Sequence, residues 1–578
     1  MNGASFLLFI LLVSSLLSLT VSSSATTPVV RSASGPVRGL VLRTVWHSIE
    51  YSSFKGIPYA EPPLGDLRFK PPVPKKPWRN VLNAFEEGSM CPQLNLMTSE
   101  LRGRENCLYL NVFTREVEFK DKLKLRPVMV WMYGGAYFEG YSNASLYGPD
   151  FFMEEDIVLV SFNYRLGVLG FLALDHPDAM GNAGLKDQNL VLHWVQKNIA
   201  AFAGDPKRVT IFGESAGATS VGFHTLSERS RESVHFLSNL SSMFSGLFLR
   251  SISMSGTPLC LWAYHTPEKM IQNAYKLASL LNFVPTSKDD LLNYFRQAAA
   301  SSLVIAAQKI DLNFLPFRPT RENPEIDLTN STFLTECPIT KYNNGDFHHH
   351  DVMLGYTRDE VLLFLGPPIG VANMIDWALK YVEHASKYKE ISEEPINLFA
   401  RTISDLYKMS YRKLEKLMVD IFFSGPIDLT QRLLAEYNKG HPIYYYRLSY
   451  QTKYSWHKVE HNPLNGTAHF DDVGYIFNSK ALHAPTNPRN RFNRFRKRMV
   501  NMWANFAKYG NPTPKDKNRI VNWIASGKDG LQLDINTIPR MHERFTDKNA
   551  EDFERIYYRI LPLVSSCVKR STNFFDFV

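Results

Sequence analysis

The 578-residue chain lacks a second long apolar run. Beyond residue 25 no stretch of about 20 apolar residues occurs, the length a bilayer-spanning helix needs, so no membrane anchor is expected. Internal repeats, low-complexity linkers and composition breaks are also missing, which points away from fibrous and disordered classes. The tail STNFFDFV is neither an anchor signal nor a retention tetrapeptide. Cysteine is scarce: Cys91, Cys107, Cys260, Cys337 and Cys567 permit at most two bridges and leave one thiol over. A strong excess of one charge is absent too. The 65 basic and 56 acidic residues are well mixed, and a net +9 bears on solubility more than on partner choice, so no nucleic-acid partner is expected. The run His348-His349-His350 has no Asp, Glu or Cys at ligand spacing, so it is expected to be a solvated turn, with no metal. Six basic residues between Arg489 and Arg498 are interleaved with Phe492 and Phe495, the pattern of a helix with a charged outer face and two core rings.

What is present begins with a targeting segment. Phe6 to Leu19 is nearly all apolar and small residues follow from Val21 to Ala25, a secretory h-region with its cleavage zone. Residues 1–24 are therefore expected to be a signal peptide, and 25–578 one secreted, extracellular domain. Four sequons suit that compartment, at Asn143, Asn239, Asn330 and Asn465. Hydrophobic residues at 44% and aromatics at 13% suffice for a large core. Short apolar runs read as buried strands at Val128–Met132, Ile157–Phe162, Val209–Phe212, Leu247–Met254, Val352–Leu354 and Ile443–Leu448. Helical patterns lie between them, the clearest at Asp187–Ile199. This alternation predicts an α/β fold with a mostly parallel sheet covered on both faces and long insertions. In such sheets functional residues collect at the carboxyl ends of strands.

One such end carries Gly213-Glu214-Ser215-Ala216-Gly217, placed between the strand Val209–Phe212 and a helix running to about Leu226. Strand, turn and helix are the context that gives a G-x-S-x-G motif meaning. The turn is sharp enough to need glycine on both sides, and it presents the serine hydroxyl at a helix start. A hydroxyl becomes a nucleophile only with an oriented base, and acyl transfer also needs donors for the developing oxyanion. The glycine-rich stretch Trp131-Met132-Tyr133-Gly134-Gly135-Ala136-Tyr137 follows a strand and could supply backbone N–H groups for that purpose.

The chain resembles type-B carboxylesterases of the carboxylesterase/cholinesterase family, in the α/β-hydrolase superfamily, and is most like insect secreted esterases. The likeness runs from about Gly35 to about Leu561 on FKGIPYAEPPLGDLRF, CLYLNVF, YGGAY, FNYRLGVLGFL, GNAGLKDQNLVLHWVQKNIAAFAGDP, GESAGA, GYTRDE, GTAHFDDVGYIF and WANFAKYGNPTP. The resemblance implies a serine carboxylic-ester hydrolase working through an acyl-enzyme on small-molecule esters, without cofactor. It assigns the nucleophile to Ser215, the acid to Glu360 (Asp359 being the rival) and the base to His469. It further assigns oxyanion donors to the N–H groups of Gly135, Ala136 and Ala216, and a hydrogen-bonding support role to Ser255. It pairs Cys91 with Cys107, and puts Phe283 and Tyr294 where a second family bridge would be. Cys260 and Cys337 are expected as buried thiols.

The sequence departs from the family pattern at Tyr133, where many members have His, and at Ala136, where many have glycine. Residues 92–106 contain no aromatic residue, whereas cholinesterases hold the quaternary ammonium on a tryptophan in that loop; this points away from choline esters. Juvenile-hormone esterases typically read G-Q-S-A-G, and Glu214 stands second here, which points away from that hormone. Breakdown of xenobiotic, pheromone or other hormone esters fits the same chemistry. The alternative is a catalytically inactive adhesion or binding homologue; such relatives usually lose a triad member, and this chain keeps all three.

Overall fold

Short β-branched and aromatic runs form the strands of one large sheet in the computed structural model. The structure describes residues 25–95, 98–120, 123–231, 246–310, 315–365, 415–416, 418–459, 462–515 and 520–545. The segment read as a signal peptide, Asn239 and Cys567 lie outside them. Numbered along the chain, the sheet's strands are β1 (Leu40–Arg43), β2 (Glu50–Pro58), β3 (Tyr109–Thr114), β4 (Arg126–Met132), β5 (Val158–Phe162), β6 (Gly204–Glu214), β7 (Arg250–Met254), β8 (Asp351–Thr357), β9 (Ile443–Leu448), β10 (Gln532–Ile535) and β11 (Arg540–His542). Their spatial order is β11-β10-β9-β8-β7-β6-β4-β5-β3-β2-β1. Every neighbouring pair from β10 to β5 is parallel, while the pairs beyond β5 and beyond β10 are antiparallel. The sequence pattern foretold the parallel centre. It missed the antiparallel flanks because β1 and β11 are short and the polar residues within β2 and β3 interrupt the apolar run that marks a buried strand.

The central strands are buried on both faces, and along β9 successive residues feed two different cores. Along β9, Tyr444, Tyr446 and Leu448 join one hydrophobic cluster with Trp131, Phe212 and Trp503. Ile443 and Tyr445 join another with Phe223, Leu277 and Phe295. Helices supply both layers: α1 (Ala183–Asn198), α2 (Ala216–Leu226) and α3 (Arg491–Tyr509) are prominent. Among the described residues no helix is long and apolar enough to cross a membrane.

Helix α3 turns Phe492 and Phe495 inward as the pattern predicts, but Arg496 is also buried, donating to Gly474 O and lying over the rings of Phe151 and Phe492. The basic run is thus not wholly outward. The histidine run corrects an expectation more sharply. His350 is buried and its ring nitrogens contact Ser251 Oγ and His348 O, while His348 packs on Phe248; this is a packed connector into β8, not a solvated turn. Burial pushes the pKa of His348 down to about 4.

A disulfide joins Cys91 to Cys107. The rings of Phe283 and Tyr294 stack at 3.9 Å between centroids, an apolar contact at the position of the family's second bridge. Cys260 is a buried free thiol, pushed up to about 12 by burial. Cys337 is disulfide-bonded, correcting its reading as a thiol.

Candidate active site

Parallel strands deliver the residues singled out in the sequence to one end of the sheet. Ser215 follows β6, Ser255 follows β7, the Gly134–Ala136 loop follows β4 and Glu360 lies three residues beyond β8. Ser215 takes φ 58° and ψ −124°, a strained conformation that leads directly into α2. Glycine makes the turn possible: a Cβ on Gly217 would fall 2.0 Å from Met132 O. A Cβ on Gly134 would fall 2.9 Å from that of Ser215, so the glycine loop lies directly against the serine.

In that loop Ala136 and Tyr137 both have positive φ, 58° and 61°. Such left-handed residues cost energy unless the surroundings enforce them, and they concentrate at functional sites. Tyr137 is buried, its hydroxyl bonded to Thr219 Oγ1 on α2, which anchors the loop to the helix that Ser215 opens. The N–H groups of Gly135 and Ala136 have no partner among the described residues. Ala216 opens α2, where first-turn N–H groups lack intrahelical acceptors. Tyr133 stacks on Tyr164 at 4.5 Å and so packs beneath the loop.

Glu360 and His469 are joined twice. Nδ1 of His469 lies 2.6 Å from Glu360 Oε2, and the His469 N–H donates to Glu360 O at 3.0 Å. Glu360 Oε1 accepts from the Thr357 N–H. Asp359, the rival acid, turns elsewhere: it pairs with Arg358 and accepts from the Thr467 N–H, thereby fastening the loop that carries His469. The far nitrogen of the ring, Nε2, lies 3.1 Å from Oε1 of Glu214, the residue immediately before Ser215. The imidazole therefore stands at the elbow, although no hydrogen bond joins it to Ser215 Oγ. Such bonds often tighten only when substrate is bound. The support expected from Ser255 is not formed: its buried Oγ has no hydrogen-bond partner among the described residues.

Three features of the site were not read from the sequence. Glu214 is fully buried, and burial together with the nearby Glu360 pushes its carboxyl well above the usual range. Asp472 is sealed likewise; burial first, then Glu214 and Glu360, raise it despite His469. Acidic residues inside otherwise apolar or small-residue motifs, GESAG and HFDDVGYIF, were the available signal. The third feature is an aromatic wall. Phe423, on the π-helix Asp420–Ser424, lies 4.8 Å from the His469 ring and Phe364 lies 5.5 Å from it, with Trp262 packed on Phe423. The Trp262 indole N–H donates to Phe422 O, bracing the π-helix.

A mostly parallel sheet with a strained serine elbow after β6, an acid after β8 and a histidine on a later loop defines the α/β-hydrolase class. Comparison with known proteins narrows it. The Carboxylesterase family model matches residues 26–553, and the chain belongs to that family as a carboxylic-ester hydrolase. It is 33% identical to a juvenile hormone esterase of Tribolium castaneum, over 92% of each chain. It is 34% identical to Esterase B1 of Culex pipiens, covering 78% of this chain and 83% of the relative. Among solved structures it resembles a juvenile hormone esterase from Manduca sexta with OTFP covalently attached, with a TM-score of 0.79, 27% identity, and coverage of 93% of this chain and 99% of that one.

Proposed function

We propose that the chain hydrolyses uncharged esters with Ser215 as nucleophile, His469 as base and Glu360 as the residue that orients it. Ser215 Oγ attacks the ester carbonyl as His469 Nε2 takes its proton. The oxyanion is held by the N–H groups of Gly135, Ala136 and Ala216, and the alcohol leaves with the proton from His469. Water then repeats the cycle on the acyl-enzyme and releases the acid. The observation that carries this reading is the doubly joined Glu360–His469 pair whose far nitrogen faces the residue before Ser215. The covalent adduct named for the Manduca sexta esterase accords with it.

The wall of Phe364, Phe423 and Trp262 suits an apolar acyl or alcohol group beside the imidazole. Secretion, with glycans on Asn143, Asn330 and Asn465, belongs to the same proposal; Asn330 and Asn465 are exposed and Asn143 is half-buried. The test is labelling with an organophosphate followed by peptide mapping. A phosphorylated Ser215 and loss of aryl-ester turnover are expected. An unlabelled, folded protein would instead mark an adhesion or binding homologue.

A further inference from the structure

A further histidine–carboxylate couple lies inside the protein, next to the loop that carries His469. His457, on the short helix Trp456–Val459, and Asp471 are both buried, and Nδ1 of the imidazole lies 2.8 Å from Asp471 Oδ2. What sets this couple apart from Glu360 and His469 is the far side of the ring. Nε2 of His457 lies 3.0 Å from the main-chain oxygen of Leu464. A carbonyl oxygen can only accept, so Nε2 carries a proton. Asp471 accepts from two main-chain donors as well, the Ala468 N–H at Oδ2 and the His457 N–H at Oδ1. Burial raises the Asp471 carboxyl, and the bonds from His457 and Ala468 oppose that. Two main-chain donors on one carboxyl group favour its ionised form, which leaves the proton of the Nδ1–Oδ2 contact on the ring. Both ring nitrogens of His457 therefore carry protons, and neither is left to accept one. Unlike His469, this histidine has no base to offer.

Other charges nearby are engaged elsewhere. Lys458 reaches Asn465 Oδ1 on the exposed side. The Asp472 carboxyl is influenced by Glu214, Glu360 and His469 before Asp471. What the couple does hold is main chain. The ring fixes Leu464 O, and the His457 carbonyl accepts from the Asn462 N–H. The Asp471 N–H donates to Ala468 O while the Ala468 N–H returns to the Asp471 side chain, which closes a turn whose second residue is His469. Asp359 holds the same loop only at Thr467, outside that turn.

We propose that His457 is a positioning residue for ester cleavage: as an imidazolium paired with Asp471, it fixes the turn from which His469 reaches the serine elbow. The proposal rests on the reading of His469 as the base.

The experiment joins nitrogen NMR of the full chain, carrying isotope-labelled histidine, to steady-state kinetics. Rates are divided by the active sites counted with an organophosphate, so that unfolded molecules drop out. In wild type, about one unit above the ordinary histidine pKa, one buried ring should show two exchange-protected N–H groups. That signal should vanish in His457→Gln, and Asp471→Asn should return one of its nitrogens to the unprotonated form. Each variant should lower kcat per counted site roughly 10- to 100-fold on a soluble aryl ester, with KM within about threefold, the scale of a small misplacement of a catalytic group. The double variant should be no slower than the slower single one, because either change dismantles the same couple. A purely structural role would lower stability and leave kcat per counted site unchanged. That result overturns the proposal, as do additive losses or a His457 ring with a single proton in wild type. A wild-type protein that the organophosphate leaves unlabelled overturns the esterase reading and this proposal with it, even where the ring shows both protons. A ring with one proton in a labelled protein overturns this proposal alone.

Discussion

Glu360 and Asp359 are neighbours in sequence, and their partners separate their roles. Glu360 has both oxygens engaged, by Thr357 and His469. Glu360→Gln should lower kcat about 10⁴-fold with little change in stability, because an amide in its place favours the wrong imidazole tautomer. Asp359→Asn should leave kcat within about tenfold, since Asp359 touches the His469 loop and not the ring. Steady-state rates on one aryl ester distinguish the two. Ser215→Ala should cost about 10⁶ in kcat with an unchanged melting temperature.

Glu214 gives a pH prediction at the same scale. Its folded-state pKa is raised well above that of the unfolded chain. The folded protein therefore holds this proton more tightly, so the associated stability is complete below the ordinary carboxyl value of 4.5 and is lost progressively as pH rises towards the folded value. Glu214→Gln keeps the shape without the ionisation. Its melting temperature should match wild type near pH 4 and exceed it by a margin that grows as the pH is raised. A constant difference across pH would show that the carboxyl carries no such linkage.

At the scale of elements, what the sequence made legible was what repeats or is sterically forced. Continuous apolar runs marked the central strands, and G-x-S-x-G between a strand and a helix marked the elbow, because only glycine tolerates Met132 O at that distance. Gly217→Ala should destabilise the fold by about 3 kcal/mol or more in urea denaturation, since the obstacle is backbone and cannot swing aside. The positive φ of Ala136 and Tyr137 left no trace in residue type, because tertiary contacts and not local preference impose it. The position of Phe423 was equally hidden: a π-helix has no periodic signature, and only folding brings it to the ring of a histidine 46 positions later in the chain. Phe423→Ala should open the aromatic wall and raise kcat/KM for bulky relative to small acyl esters, read from a panel of esters with one alcohol.

At the scale of the whole molecule, one covalent tie stands out. The Cys91–Cys107 bridge closes a loop with a sequence separation of 16, for which chain-entropy arguments give about 3 kcal/mol. The paired substitution Cys91→Ser with Cys107→Ser should lower the unfolding free energy by about that amount in denaturant titrations. Arg68 reinforces the same corner through Glu105 and the carbonyls of Phe295, Arg296 and Ala298, so the loop is tied both covalently and ionically to the main body.

The double attachment of His469 to Glu360 has a consequence for how such a protein can diversify. Acid and imidazole ride on two loops that cannot drift apart, because main chain and side chain both clasp them. Phe423, which packs beside the ring from the separate π-helix, shares no part of that clasp. On the proposed mechanism, mutation can therefore resculpt the chamber while the Glu360–His469 couple travels as one rigid piece, and appetite for new esters can be acquired without relearning the chemistry.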